Sequence, residues 1–179
     1  MATLATLQMP LPWDEFDLPS PLQTRSTTLV EGPPAWAWID GTPELPIESC
    51  EPAAGEAAEG WELDHVVLLV PHLEDAVVAM EAIGEQPRLR MPVNGRPAAF
   101  FRVGPVLEVI ESPVRQTALY GLVLTADEPL ETIVLRWRSM GRDVTDPKPA
   151  IQPGRRIFTV RATEAGFAVM SPDQQVASS

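Results

Sequence analysis

Apolar residues recur at spacings of three and four in two separate stretches of the chain. The first stripe consists of Leu73, Ala76, Val77, Met80 and Ile83, and the second consists of Leu130, Ile133, Val134, Trp137 and Met140. This spacing places the apolar side chains on one face of a helix. A glycine follows each stripe, Gly84 and Gly141, where helices commonly end. The pattern predicts two amphipathic helices with matching buried faces.

Short β-type stretches surround each predicted helix in the same order. An apolar strand precedes each helix, HVVLLV at 65–70 and LYGLVLT at 119–125. The stretches after the first helix are PRLRM, AAFFRV and VLEVIE, and those after the second are a Pro-rich edge at 147–153, RIFTV and GFAVMSP. The chain therefore repeats a βαβββ unit, with modules at 61–113 and 117–173, and its predicted fold class is α+β.

The first 60 residues differ in composition from the rest of the chain. They contain nine of the 20 prolines, ten acidic residues and a single base, Arg25. Proline lacks a backbone donor and disfavours helix, so an extended Pro-rich amino-terminal arm is expected here. The stretch EPAAGEAAEG at 51–60 is typical of a flexible linker. A short tail is expected at 174–179.

The aromatic residues of this arm leave two alternatives open. A disordered tail would be poor in aromatic residues, but this segment contains Trp13, Phe16, Trp36 and Trp38. These side chains gain free energy by burial, which favours docking on the modules or on a partner subunit. The acidic, Pro-rich composition favours disorder instead.

Charge and cysteine content exclude several classes of function. The balance of 25 acidic against 13 basic residues gives a formal net charge of −12, which repels nucleic-acid phosphates and anionic lipid surfaces. Cys50 is the only cysteine, so no intrachain disulfide or cysteine-rich zinc site can form, as is usual in a reducing compartment. The sequence contains neither a secretory leader pattern nor a run of roughly 20 apolar residues. We therefore expect a cytoplasmic protein that binds neither nucleic acid nor membrane.

Four stretches carry a resemblance to a known group of proteins: LDHVVLLVPHLEDA at 63–76, VLEVIESP at 106–113, and the fainter LYGLVLTADEPLETI at 119–133 and FAVMSP at 167–172. They resemble the vicinal oxygen chelate superfamily, which includes glyoxalases, bleomycin resistance proteins and extradiol dioxygenases. The resemblance implies that the paired modules form a cupped mixed sheet around a cavity. In that superfamily a divalent metal in the cup is typically held by residues of the first and fourth strands.

The resemblance places the metal ligands of the first module on His65 and Glu108. Strand alternation agrees with this placement, because a cavity-facing His65 puts Val67 and Leu69 on the same face. A lone carboxylate such as Glu108 in an apolar strand is costly to bury without a partner. Both residues are therefore expected to converge on one cavity.

The second module departs from the superfamily pattern. Its first-strand ligand position falls on Leu122, or on Gly121 if the strand is one residue longer, and its fourth-strand position falls on Ala168. None of these side chains can bind a metal, whereas a catalytic ion usually takes about three protein ligands. The third ligand would have to come from His72, from an acid of the arm, or from a second subunit in a symmetric homodimer.

Two functions remain open at this point. The first is a metal-dependent lyase, isomerase or dioxygenase in which His65 and Glu108 hold Zn, Fe, Mn or Ni and Glu108 takes part in catalysis. The second is a metal-free protein of the bleomycin-resistance type that binds or sequesters a small organic molecule in the cup. A non-catalytic interaction protein, docking a partner through the arm, is a further alternative.

Four more residues are candidates for ligand binding. Arg88 and Arg90 share one strand face and Arg102 follows on the next strand, so they could clamp a carboxylate or phosphate if that face lines the cup. A solvated strand edge protected by charge is the competing interpretation. Tyr120 could donate a hydrogen bond in the cavity or pack as an ordinary strand aromatic.

Overall fold

A computed structural model describes residues 1–173 of the chain, and the expected tail at 174–179 lies outside these residues. The first 60 residues form a five-stranded sheet of β1 (Thr3–Met9), β2 (Leu22–Gln23), β3 (Thr28–Glu31), β4 (Ala35–Ile39) and β5 (Glu56–Ala57). Its strand order is β4-β1-β3-β2-β5, and a 3-10 helix at Trp13–Phe16 follows β1.

The remaining strands form one eight-stranded sheet. They are β6 (Trp61–Val70), β7 (Leu89–Arg90), β8 (Ala98–Arg102), β9 (Val106–Glu111), β10 (Ala118–Ala126), β11 (Lys148–Pro149), β12 (Arg156–Val160) and β13 (Gly166–Met170). The two helices are α1 (Leu73–Glu81), which follows β6, and α2 (Leu130–Ser139), which follows β10. The strand order is β11-β12-β13-β10-β6-β9-β8-β7.

This topology confirms the α+β class and the paired βαβββ modules. In each module the first strand pairs in parallel with the fourth, β6 with β9 and β10 with β13. The two first strands, β6 and β10, pair antiparallel and join the modules into one sheet. The helices end at Glu81 and Ser139, so the last residue of each predicted stripe, Ile83 and Met140, lies just beyond its helix. Gly84 and Gly141 follow with φ of 86° and 83°, a left-handed backbone that favours glycine.

The extended Pro-rich arm is not confirmed, because residues 1–60 fold as a sheet. Leu4, Leu7, Leu22 and Leu29 of that sheet are fully buried. The nine prolines lie in the connections between the strands and the 3-10 helix, so the strand donors remain free to pair. Proline content therefore indicated where the strands end, and did not exclude them.

The expected flexible linker at 51–60 is also corrected by the structure. The Ala53 N–H donates to Thr6 Oγ1 at 3.0 Å, and Thr28 Oγ1 donates to the Ala53 carbonyl at 2.9 Å. A Cβ added at Gly55 would lie 2.6 Å from the Pro21 carbonyl oxygen, so the chain packs closely there. These contacts fasten the segment to the five-stranded sheet.

Aromatic rings join the N-terminal sheet to the second module. Trp13 meets Phe167 edge-on with ring centroids 5.3 Å apart, and Phe16 lies 4.9 Å from Trp137 of α2. Trp61 stacks on Trp137 with ring centroids 5.8 Å apart. Of the two alternatives, docking and disorder, docking is therefore the one observed for these aromatic residues. The two sheets share one hydrophobic core. Within residues 1–173, no helix is long and apolar enough to cross a membrane.

Trp137 should contribute more to stability than other apolar residues of α2, because it is fully buried among four aromatic rings. We expect Trp137→Ala to lower the free energy of unfolding by about 3–5 kcal/mol. The control is Leu135→Ala on the same helix, where the side chain is 68% exposed and the expected change is within about 0.5 kcal/mol. Urea unfolding measures both, and equal losses in the two variants would contradict the shared aromatic core.

Candidate functional site

A β-bulge in β6 brings two neighbouring polar residues onto one face of the eight-stranded sheet. His65 lies opposite Val123 of β10 whereas Leu63 lies opposite Leu124, which leaves Asp64 as the extra residue. A bulge interrupts the strict alternation of side chains. Asp64 and His65 are accordingly both partly exposed, while Leu63 and Val66 on either side are buried in the core beneath the helices. We call the face opposite the helices the cup face.

Glu108 reaches the same place from β9. It lies opposite Phe100 of β8 and Val67 of β6, and its carboxylate Oε2 is 3.3 Å from His65 Nε2. The other imidazole nitrogen, Nδ1, lies 2.7 Å from Asp64 Oδ2. The imidazole of His65 is therefore placed between two carboxylates, and the cup face brings His65 and Glu108 together as strand parity predicts.

Arg155 completes this cluster from the second module, where it lies just before β12. Its guanidinium donates to Asp64 Oδ1 at 2.8 Å and, through Nε, to the Ser171 carbonyl at 3.0 Å. The four side chains, of Asp64, His65, Glu108 and Arg155, are between 10% and 22% exposed. Because these polar side chains are largely shielded from water, the electrostatic interactions among them are stronger than those between groups on the surface.

The two carboxylates have opposite pKa shifts. Burial raises the pKa of Asp64, but the hydrogen bonds from His65 and Arg155 and the charge of Arg155 outweigh it, so the pKa is lower than usual. Burial raises the pKa of Glu108, and the attraction of His65 offsets this only in part. Asp64 is thus held as an anion, whereas Glu108 is easier to protonate.

The second module fills its half of the cup face with apolar side chains. Val123, Ala168 and Met170 form a small buried cluster, against which Ala150 and Ile157 pack. The residue opposite His65 is Val123. Leu122, the first-strand position inferred from the helix alignment, lies opposite Val66 and is buried on the helix side, which corrects that assignment. Gly121 is opposite Val67 on the cup face and has no side chain to offer.

The donor set does not fit a three-ligand metal centre. Among residues 1–173, no group of three or more His, Cys, Asp and Glu side chains is arranged to hold a metal ion. His65 Nδ1 already contacts Asp64, so His65 and Glu108 supply one free donor group each. His72 lies beyond the far end of β6, roughly 16 Å or more along the strand direction from His65. The predicted third ligand is thus not provided by His72.

The predicted arginine clamp is corrected by the register of β7. Leu89 lies opposite Phe100, so it is Leu89 that faces the cup, and Arg90 lies opposite Ala99 on the helix side. There Arg90 binds Glu74 of α1 at 2.6 Å. Arg88, two residues away, shares the face of Arg90 and is exposed.

Arg102 and Tyr120 do lie on the cup face. Arg102 is opposite Val106, in the same cross-strand row as His65, and is exposed. Tyr120 occupies a second bulge, in β10, and its ring lies over Gly166, where an added Cβ would be 2.7 Å from Tyr120 Cε1. With 56% of its surface exposed, Tyr120 is open to solvent at the edge of this face.

Two residues of the cluster, Asp64 and Arg155, were not expected from the sequence. The pair Asp64–His65 inside an apolar strand is a signal that strict alternation fails, and it could have indicated the bulge. Arg155 comes from a turn, 91 residues away in sequence from Asp64, and no local pattern distinguishes it from neighbouring Arg156.

Sequence comparison finds no family model and no curated protein that matches this chain. Structure comparison does find similar folds. Methylmalonyl-CoA epimerase from Mycobacterium tuberculosis matches with a TM-score of 0.52 at 16% identity, over 65% of this chain and 91% of the epimerase. This is a structure of the vicinal oxygen chelate superfamily. The chain has the vicinal oxygen chelate fold.

Two further structures with the vicinal oxygen chelate fold match to a similar extent. A hypothetical protein from Bacillus halodurans C-125 has a TM-score of 0.54 at 15% identity, over 64% of this chain and 96% of that protein. A variant of Streptomyces coelicolor methylmalonyl-CoA epimerase in complex with 2-nitronate-propionyl-CoA has a TM-score of 0.51 at 12% identity, over 61% and 95%. At these identities the vicinal oxygen chelate fold is established, and activity must be inferred from the site.

Replacing Glu108 should show how much its buried negative charge destabilises the folded protein. The pKa of Glu108 is raised in the folded protein, so at pH values between the unfolded and the folded pKa the folded state holds a proton that the unfolded state has lost. The free energy of unfolding of wild type therefore falls as pH rises from the unfolded pKa through the folded pKa. Glu108→Gln removes this dependence. We expect the free energy of unfolding of Glu108→Gln, relative to wild type, to increase as pH rises from 4 to 8.

Urea unfolding at a series of pH values measures this difference. The control is Glu44→Gln, which removes the same charge at an exposed position away from the cup face and measures the effect of the charge change alone. If the difference between Glu108→Gln and wild type changes with pH no more than it does for the control, burial does not destabilise the charged form of Glu108 in the folded protein.

Proposed function

We propose that this chain binds a small organic molecule on the cup face and catalyses proton transfer at a carbon next to a carbonyl group, as an isomerase does. The observation that supports this proposal is the imidazole of His65 placed between the carboxylates of Asp64 and Glu108. Proton transfer at carbon needs a positioned group that can accept and return a proton near neutral pH. Glu108 is a positioned group of this kind, and its raised pKa makes its carboxylate a stronger base than an ordinary glutamate.

The surroundings of Glu108 suit an organic ligand. The residues beside it on the cup face are apolar and partly exposed, namely Val67, Leu69, Phe100, Val106 and Ile110. Small-molecule sites generally combine such apolar walls with a few convergent polar groups. Arg102, on the same face, is available to an anionic group of the ligand.

The proposed chemistry assigns Glu108 as the base and His65 as its proton partner. The Glu108 carboxylate takes the proton from the carbon, and the electron pair of the broken C–H bond moves onto the carbonyl oxygen as an enolate forms. If Glu108 returns the proton, the starting configuration is restored. If solvent water delivers a proton to the opposite face of the enolate, the configuration is inverted and the isomerisation is complete. His65 Nε2, 3.3 Å from Glu108, is close enough to exchange the proton with it between turnovers.

The comparisons support a carbonyl substrate of this kind. Two of the three similar structures are methylmalonyl-CoA epimerases, one of them in complex with an acyl-CoA analogue. No step of the proposed reaction passes through a metal, because the donor set around His65 does not fit a three-ligand centre.

Binding without catalysis is the second candidate. The apolar cluster of Val123, Ala168 and Met170 supports it, because these residues of the second module offer apolar contacts to a ligand and no reactive group. In that case His65 and Glu108 would orient the ligand. A homodimer, or a partner docked through the N-terminal sheet, remains a prediction.

Exchange of the C–H proton next to a carbonyl for deuterium, measured in D₂O, tests the proposal. The experiment requires a carbonyl compound that the cup face can bind. The probes are methylmalonyl-CoA and a panel of other acyl thioesters, and mass spectrometry measures deuterium at the carbon next to the carbonyl. We expect wild type to catalyse exchange with at least one probe, and Glu108→Gln to lower the rate by about 100-fold or more. Glu44→Gln should match wild type.

Three other outcomes would support different conclusions. Exchange that persists unchanged in Glu108→Gln contradicts the assignment of the base. Binding of a probe without exchange, seen by calorimetry, favours the sequestration function. Activity that disappears after treatment with EDTA and returns with Zn, Fe, Mn or Ni restores the metal-dependent alternative.

A further inference from the structure

We infer that Arg155 and Asp64 are positioning residues that hold His65 with its proton on Nδ1 and the lone pair of Nε2 directed at Glu108. This inference rests on the proposed function, because the tautomer of His65 affects catalysis only if Glu108 transfers a proton. Its physical basis is the chain of contacts from Ser171 through Arg155, Asp64 and His65 to Glu108.

The bulge in β6 makes the first of these contacts possible. In a regular strand, the residue before His65 would point to the opposite face, into the buried core. The extra residue places the Asp64 carboxylate beside the imidazole, and its Oδ2 lies 2.7 Å from Nδ1. Such local deviations from regular pairing often re-aim side chains at functional sites.

Arg155 fixes the other oxygen of Asp64. Its guanidinium is held at two points, by the Ser171 carbonyl at 3.0 Å and by Asp64 Oδ1 at 2.8 Å, and its side chain is only 10% exposed. The Ala150 N–H donates to the Arg155 carbonyl at 2.8 Å, which holds the backbone of the turn. A lysine could not make both side-chain contacts, because it lacks the planar fork of arginine.

The protonation of His65 follows from these contacts. A carboxylate paired with arginine is ionised, and an ionised carboxylate only accepts hydrogen bonds. Nδ1 must therefore be the donor to Asp64, and in the neutral imidazole the lone pair is left on Nε2, where it can accept the proton that Glu108 has taken from the carbon. A histidine whose second nitrogen is oriented by a carboxylate is a recurring arrangement for proton transfer.

The second module thereby acquires a role in the site of the first. Its own ligand positions are apolar, but the turn before β12 supplies Arg155 across the sheet to Asp64. Loss of Arg155 should release Asp64 and let the imidazole change tautomer, even though Arg155 does not contact the proposed base.

Nitrogen-15 NMR of the imidazole ring tests this inference directly. The chain has two histidines, so His72→Gln, at an exposed position, leaves His65 as the only signal. At a pH where His65 is neutral, we expect the proton on Nδ1. Asp64→Ala and Arg155→Met should shift it toward Nε2 and slow deuterium exchange into the active thioester by about tenfold or more. Arg155→Lys should fall between Arg155→Met and wild type.

Arg156→Met is the matched control, because Arg156 is the adjacent arginine and pairs with Glu131 instead. It should leave both the tautomer and the exchange rate unchanged. A wild-type proton on Nε2, or an unchanged tautomer in folded Asp64→Ala and Arg155→Met, would overturn the inference. If Arg155→Met does not fold, Asp64→Asn, which keeps the size of the side chain, gives the same comparison.

The two proposals can fail separately. A tautomer that shifts as expected in a protein that exchanges no thioester proton supports the positioning pair and contradicts the proposed reaction. Exchange that depends on Glu108 in a protein whose His65 tautomer ignores Arg155 supports the reaction and contradicts the positioning pair.

Discussion

The antiparallel pairing of β6 with β10 determines how the rest of the molecule can be arranged. It joins the two βαβββ modules into one sheet and fixes which residues of each module face each other. Both interruptions of its register matter, because one exposes Asp64 beside His65 and the other places Tyr120 over Gly166. A regular ladder would have buried the Asp64 carboxylate in the core, at a large cost in free energy.

The opposite side of the same sheet shows why residues 1–60 belong to the folded unit. Trp137 lies among rings from the N-terminal segment, from β6 and from the last two strands. Without Trp13 and Phe16, the helix side of the second module would expose part of a large aromatic cluster to water. The N-terminal sheet therefore completes a core that the two modules share, on the side of the eight-stranded sheet opposite the cup face.

The sequence predicted the parts of the fold that depend on local periodicity. Helical stripes and repeated strand order gave the two modules, and strand parity placed His65 and Glu108 together, because both signals act within a few residues. The errors arose where distant pairing decides the outcome. The register of β7 turned Arg90 toward Glu74 of α1, and the bulge at Asp64 broke the alternation on which parity arguments rest. The N-terminal strands were missed because prolines in the connections dominated the composition. Arg155 could not be found at all without the tertiary fold, since its partner is distant in sequence.

The contact between Trp13 and Phe167 joins residues that are far apart in the sequence, and this has a consequence for synthesis on the ribosome. Phe167 is translated 154 residues after Trp13. At roughly 5–20 residues per second, the apolar side of the N-terminal sheet waits on the order of 10 s or more for its counterpart. During that interval the nascent chain presents unpaired strands and bare aromatic rings, which are the surfaces that chaperones recognise. The N-terminal sheet must therefore be kept from aggregating until β13 has been translated.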